Sequence, residues 1–185
     1  MRILVCALLL ACYAAPSTGA PLKKDKLRKQ APELDLPDAH GRPVRIAELR
    51  GKVVLLDFWA TWCAPCKKEI PEFLDLEKKY RSRGLALIGV SMDSEGWPAV
   101  TPFMEKMAMD YPVVLGTKRT AYLYGDVELL PLTFLIDRQG RVAAIHSGAV
   151  SRKDLEGEIR KLLSPGADSR SGSTTLLTDG ASLLR

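Results

Sequence analysis

A chain of 185 residues, 46% hydrophobic and 26% charged, is long enough to bury a core without covalent staples. This balance is that of an ordinary globular domain and excludes both a disordered polypeptide and a polytopic membrane protein. The formal net charge of +5 is accounted for by one short basic run near the amino terminus, which reads as a solvated linker rather than a nucleic-acid site.

In chain order, residues 1–20 come first. Met1-Arg2 is a positive start, Ile3 to Ala11 is a short apolar stretch, and small residues follow. That is the grammar of a secretory signal, too short for a membrane span. Two cleavage readings stay open. Leu9-Leu10-Ala11-Cys12 resembles a bacterial lipoprotein box, which would make Cys12 a lipid-anchored amino terminus, while Thr18-Gly19-Ala20 offers an ordinary site with Pro21 awkwardly placed after it. Both imply an exported, periplasmic protein. Residues 21–30 carry Lys23, Lys24, Lys26, Arg28 and Lys29, expected as a linker; beside a lipid anchor they would lie near an anionic membrane surface.

The folded domain is expected over residues 31–163. Glu33 to Leu36 and Val44 to Ile46 alternate polar and apolar around Asp38-Ala39-His40-Gly41, which predicts a β-hairpin. One helical turn at Ala47 to Arg50 is ended by Gly51. Val53 to Trp59 is a β-branched and apolar run broken by one acid, as in a buried parallel strand. From Lys67 to Arg83, Ile70, Phe73, Leu74, Leu76 and Tyr80 predict an amphipathic helix stopped by Gly84, and Leu85 to Met92 is a second buried strand. Strand, helix and strand make a βαβ unit, so a parallel pair is expected. Ser94 to Glu128 reads as an insertion with a helix over Pro98 to Ala108 and a short strand at Val113 to Leu115. Leu132 to Asp137 and Val142 to His146 form a hairpin across Arg138-Gln139-Gly140. Ser151-Arg152-Lys153-Asp154 caps a last helix that turns Leu155, Ile159, Leu162 and Leu163 to the sheet. Residues 164–185 are rich in Ser, Gly and Thr and read as a disordered tail.

Cys6 and Cys12 fall in the signal, which leaves Cys63 and Cys66 as the only thiols of the fold. A two-residue spacer closes too short a loop to staple a chain, so the pair is there for reactivity. It sits where a strand runs into a helix. Free N–H groups and the macrodipole at a helix start favour a thiolate, with thiol pKa values of about 3.5 to 7.5 in such places. This is the chemistry of a dithiol redox couple.

Gly51-Lys52-Val53-Val54-Leu55-Leu56-Asp57-Phe58-Trp59-Ala60-Thr61-Trp62-Cys63-Ala64-Pro65-Cys66, followed by Leu130-Pro131-Leu132-Thr133-Phe134-Leu135-Ile136-Asp137, resembles the TlpA/ResA branch of the thioredoxin superfamily. The likeness covers residues 31 to 163. It implies a thioredoxin-like α/β fold, a mixed central sheet flanked by helices, with an N-terminal β-hairpin and a central insertion. By resemblance, Cys63 is the exposed nucleophile, Cys66 the buried resolving thiol and Trp62 the aromatic beside the pair. Pro131 matches a cis-proline facing the disulfide, Pro71 a proline that kinks the active-site helix, and Asp57 the buried acid of thioredoxins. Two positions depart from the branch. It often has asparagine where Asp57 stands, and a threonine commonly follows the proline where this chain has Leu132.

Thiol-disulfide exchange needs one thiolate to attack and a second thiol to resolve the mixed disulfide. Asp57 is the candidate general base for Cys66, acting through a water; its plainer reading is an aspartate satisfied by backbone N–H groups. Pro131, if cis, leaves the backbone of Leu130 free to pair with an extended substrate. Leu130 and Pro131 are thus the candidate substrate-binding residues.

Readings from other classes are weaker. A structural zinc site wants four ligands, and His40 and His146 are single and far apart. Copper held by the cysteines with Met104, Met107 and Met109 is the alternative kept, although these methionines also suit a helix face with Phe103. A peroxiredoxin is disfavoured because Ala60 occupies the position of its motif threonine. The expectation is a thiol-disulfide oxidoreductase with no cofactor beyond the Cys63–Cys66 disulfide. It is read as a monomer that reduces protein disulfides, for example in cytochrome c maturation, and is recharged by a membrane thiol carrier, with no nucleic-acid partner.

Overall fold

The computed structural model describes residues 21–165; the expected signal and most of the expected tail lie outside the described residues. β1 (Asp35–Pro37) and β2 (Pro43–Arg45) form the hairpin as a separate antiparallel sheet, with Leu36 opposite Val44. Asp38 shapes its turn by accepting the N–H groups of His40 and Arg42 at 2.8 and 2.9 Å. A 3-10 turn at Ile46–Leu49 leads into β3 (Val53–Trp59), whose residues are all buried, Asp57 included, as a run apolar at all its other positions requires of a central strand.

The remaining elements are α1 (Ala64–Tyr80), β4 (Leu85–Ser91), α2 (Trp97–Lys106), β5 (Val113–Leu115), α3 (Lys118–Leu123), β6 (Leu132–Ile136), β7 (Val142–Ser147) and α4 (Arg152–Leu163). The five-stranded sheet has the order β5-β4-β3-β6-β7. β3, β4 and β5 are parallel, while β6 runs antiparallel to β3, and β7 to β6. Period-2 alternation splits the core in two. Val53, Leu55 and Trp59 pack with Ile70, Phe73 and Leu76 of α1 and Leu155, Ile159 and Leu162 of α4. Val54, Leu56 and Phe58 pack on the other face with Leu34, Tyr124 and Phe134. Among the described residues no helix is long and apolar enough to cross a membrane.

Three local expectations change, at the active-site helix, the insertion and the basic stretch, while the methionines keep the expected core role. The active-site helix begins at Ala64 rather than Lys67, and its last expected turn, Arg81–Arg83, is a 3-10 turn ending on Gly84 at φ 95°. α3 was not anticipated inside the insertion; Thr117 caps it by accepting from Thr120 N at 3.0 Å. The methionines have a local purpose. Ala108 is left-handed at φ 51° and Met109 N–H reaches Met104 O at 3.0 Å, a bond that closes the end of the helix, and all three methionines join or pack against the core. Finally, the basic stretch is not a free linker. Lys23 N–H bonds Ala143 O at 2.7 Å, Val142 N–H bonds Lys29 O at 2.8 Å and Ala31 N–H bonds Gly140 O at 2.9 Å, so it runs along the outer edge of β7. Arg28 turns inward, at 3.1 Å from the buried Asp137, which Arg141 also holds at 2.9 Å.

Candidate active site

β3 and β4 end side by side, with Trp59 opposite Ser91. This lets Asp93, just beyond β4, hold the loop that leaves β3. Its carboxylate accepts Thr61 N–H at 2.9 Å, the Thr61 hydroxyl, and Ser91 Oγ at 2.8 Å. No motif announced Asp93. The available signal was an acid at the carboxyl end of a parallel strand, where such sheets build their sites.

The anchored loop delivers Cys63 as the N-cap of α1, its Sγ accepting from Cys66 N–H at 3.3 Å. Pro65 occupies the first turn, where a missing N–H leaves no helical bond unmade. Cys63 and Cys66 form a disulfide with Cα atoms 5.4 Å apart. Cys66 has no exposed surface, and Cys63 has 4%. The expected asymmetry is present in direction only, because Cys63 is covered rather than open. Trp62 is 65% exposed and stands out from the surface. The aromatic sharing the core with both cysteines is Trp59, stacked on Phe103 of α2 at 5.2 Å.

The register of β3 with β6 sets Phe58 against Leu132, which brings Pro131 to the cysteine end of the sheet. The Leu130–Pro131 bond is cis. Pro131 O accepts from Gly148 N–H at 2.8 Å, while Leu130 makes no backbone hydrogen bond among the described residues. Its neighbour Leu129 is 69% exposed.

Asp57 lies behind the disulfide in the middle of β3, 1% exposed. It is not satisfied by backbone N–H groups. Its Oδ1 accepts the Thr133 hydroxyl at 3.2 Å and its Oδ2 has no hydrogen-bond partner. Burial, then the charge of Glu69, push its carboxyl up to about 8. Glu69 is the residue that the sequence reading missed. It follows Cys66 by three positions, hence lies on the same buried helix face as Cys66, Ile70 and Phe73. Its Oε1 accepts Val150 N–H at 2.8 Å and its Oε2 is unpartnered. Burial pushes it up to about 7 against the pull of the Val150 bond and of His146. Next to it, His146 Nε2 meets Glu158 Oε2 at 2.8 Å and Nδ1 has no partner. Among the described residues no group of three or more His, Cys, Asp or Glu could hold a metal. Met104 and Met107 pack partly buried onto the α1 side of the core with Met109.

A cysteine pair at a helix start, with two buried carboxyls whose protonation changes near neutral pH, can exchange with a thiol when closed or with a disulfide when reduced, and can move the proton that the exchange requires.

A family model described as the AhpC/TSA family matches residues 27–145. The thiol-disulfide oxidoreductase ResA of Bacillus subtilis (strain 168) is 35% identical over 171 residues, covering 91% of this chain and 92% of that protein. Its counterpart in Geobacillus kaustophilus (strain HTA426) is 33% identical over 132 residues, 71% of this chain and 75% of the relative. Among solved structures, a thiol:disulfide interchange protein of the thioredoxin family from Chlorobium tepidum TLS superposes with a TM-score of 0.69 at 29% identity, over 76% of this chain and all of that one.

Proposed function

The chain belongs to the AhpC/TSA family and is a thiol-disulfide oxidoreductase, and on that premise we propose that it acts outside the cytoplasm as a reductant of protein disulfides. In the reduced enzyme the Cys63 thiolate attacks one sulfur of the substrate disulfide, joins it in a mixed disulfide and expels the other sulfur as a thiolate. Cys66 then gives its proton to the Asp57–Glu69 pair and attacks Cys63 Sγ. The Cys63–substrate bond breaks, its electron pair leaves on the substrate sulfur that Cys63 had attacked, and the Cys63–Cys66 disulfide is left. A membrane dithiol carrier restores the reduced form. Leu130 offers its unpaired backbone to an extended substrate segment beside Pro131, next to the exposed apolar side chain of Leu129.

The observation carrying the reducing direction is the pair of buried acids behind the cysteines. Strong oxidants of this chemistry are made by stabilising the reduced, thiolate form. As they ionise, Glu69 at about 7 and Asp57 at about 8, the two acids place negative charge where it opposes a thiolate, which lowers the potential. Apocytochrome c cysteines are the proposed substrate, with misoxidised proteins and copper-site cysteines as rivals. Equilibration with glutathione and dithiothreitol buffers tests the direction. A potential within or below about −200 to −270 mV is expected, and one near about −120 mV, the range of the oxidant DsbA, overturns the reductase reading.

A further inference from the structure

The described residues contain five buried side-chain polar atoms without a hydrogen-bond partner: Asp57 Oδ2, Trp59 Nε1, Glu69 Oε2, Tyr111 Oη and His146 Nδ1. Such atoms each cost about 1–3 kcal/mol, and here they are not scattered. Asp57 stands opposite Gly89 on one side and Thr133 on the other, and Thr133 stands opposite His146, so one row crosses four strands on a single face. Gly89 leaves room in it, since a Cβ there would lie 2.7 Å from Trp59 Nε1 and 3.1 Å from the Tyr111 ring. α1 lays Glu69 over the row and α4 brings Glu158 to its end, at 2.8 Å from His146. Each titratable member acts on the next, Asp57 on Tyr111, Glu69 on Asp57 and His146 on Glu69.

We infer that His146 and Glu158 are positioning residues that complete a proton path behind the redox disulfide, carrying the proton surrendered by Cys66 from the Asp57–Glu69 pair to the α4 side of the molecule. This rests on the proposed base role of those two carboxyls and extends it. The need is geometric. Cys66 is fully covered and Cys63 is 4% exposed even without a substrate, and in the mixed disulfide the substrate occupies that mouth. A proton released at Cys66 therefore has to leave by the back.

The far end has the right chemistry. With its proton on Nε2, donated to Glu158, His146 turns the Nδ1 lone pair inward and leaves no buried N–H unpaired. A proton arriving at Nδ1 from the carboxyl pair is matched by one passing from Nε2 to Glu158. No heavy-atom bond changes, and the charge moves outward by one step. His146 is 2% exposed and Glu158 11%, so the path ends at its more open member. The groups facing His146 are Glu158 from α4, Glu69 from α1 and Thr133 from β6; Asp57 and Tyr111 lie further along the row, and Glu72 presses on Glu69 from α1.

The test uses the reduced protein and 5,5′-dithiobis(2-nitrobenzoate) in a stopped-flow instrument. The first thionitrobenzoate released reports attack by Cys63, and the second reports resolution by Cys66. His146→Gln is expected to leave the first phase unchanged, to slow the second by about tenfold or more, and to move its rising pH limb upward, because no ring is left that can take a proton at Nδ1 and, so charged, draw Glu69 down. Glu158→Gln is expected to slow the second phase alike, and the double variant to be no slower than the slower single one, as for two steps of one path. An unchanged second phase, slowing without a shift of the pH limb in His146→Gln, or additive effects overturn the path. Glu158→Gln decides the matter if His146→Gln does not fold. Asp57→Asn and Glu69→Gln separate the layers: if they slow resolution while the His146 and Glu158 variants do not, the base reading stands without the path, and if they also leave it unchanged, the base reading itself fails.

Discussion

A carboxyl at 1% exposure in the middle of a central strand weakens the fold that contains it. Asp57 keeps its proton up to about pH 8 when folded, against an ordinary value of 3.8, and Glu69 up to about 7 against 4.5. Between those limits the folded state binds more protons than the unfolded one. Stability therefore falls as pH rises from about 4 to about 8 and does not recover above. Asp57→Asn is expected to raise unfolding free energy at pH 8 by on the order of a few kcal/mol, to change it little at pH 4, and to flatten the curve between. Urea unfolding across that range measures it; an unaltered slope would show that Asp57 does not titrate there. At this scale the sequence was legible where chemistry depends on near neighbours, as for Cys63, Cys66 and Asp57, six positions before the first of them. Glu69, Asp93 and His146 were not. Their roles depend on which helix face meets the sheet and on the registers of β4 with β3 and of β7 with β6, which short-range spacing does not contain.

Elements were legible wherever their periodicity was long, as in α1, α4, β3 and β4, and the hairpin was legible from its turn residues. α3 has only six residues, too few for a period to emerge. The basic stretch misled for a related reason: lysines read as solvent-facing, whereas here backbone N–H and C=O groups do the pairing and one arginine among them is buried. Arg28 is 8% exposed and Asp137 1%. Arg28→Ala is expected to cost about 1–3 kcal/mol, less than an isolated buried pair because Arg141 remains on Asp137. Hydrogen exchange should show the loss at Val142 and its neighbours on β7 before it reaches β3; a uniform loss across the sheet would count against a local tie.

For the whole molecule, redox state and stability are one thermodynamic cycle. A protein that is a good reductant is one whose fold favours the disulfide over the dithiol, the reverse of an oxidant such as DsbA. The oxidised form is expected to melt several degrees above the reduced form, and Asp57→Asn is expected to narrow that gap. Paired thermal scans with and without reductant measure it. A reduced form that melts higher would place the protein among the oxidants.

The seam along β7 also closes a flank of the sheet. Lys23, Lys29 and Ala31 take up outward backbone groups of Ala143, Val142 and Gly140. A strand arriving from another molecule, whether substrate or second copy, therefore finds that flank already occupied.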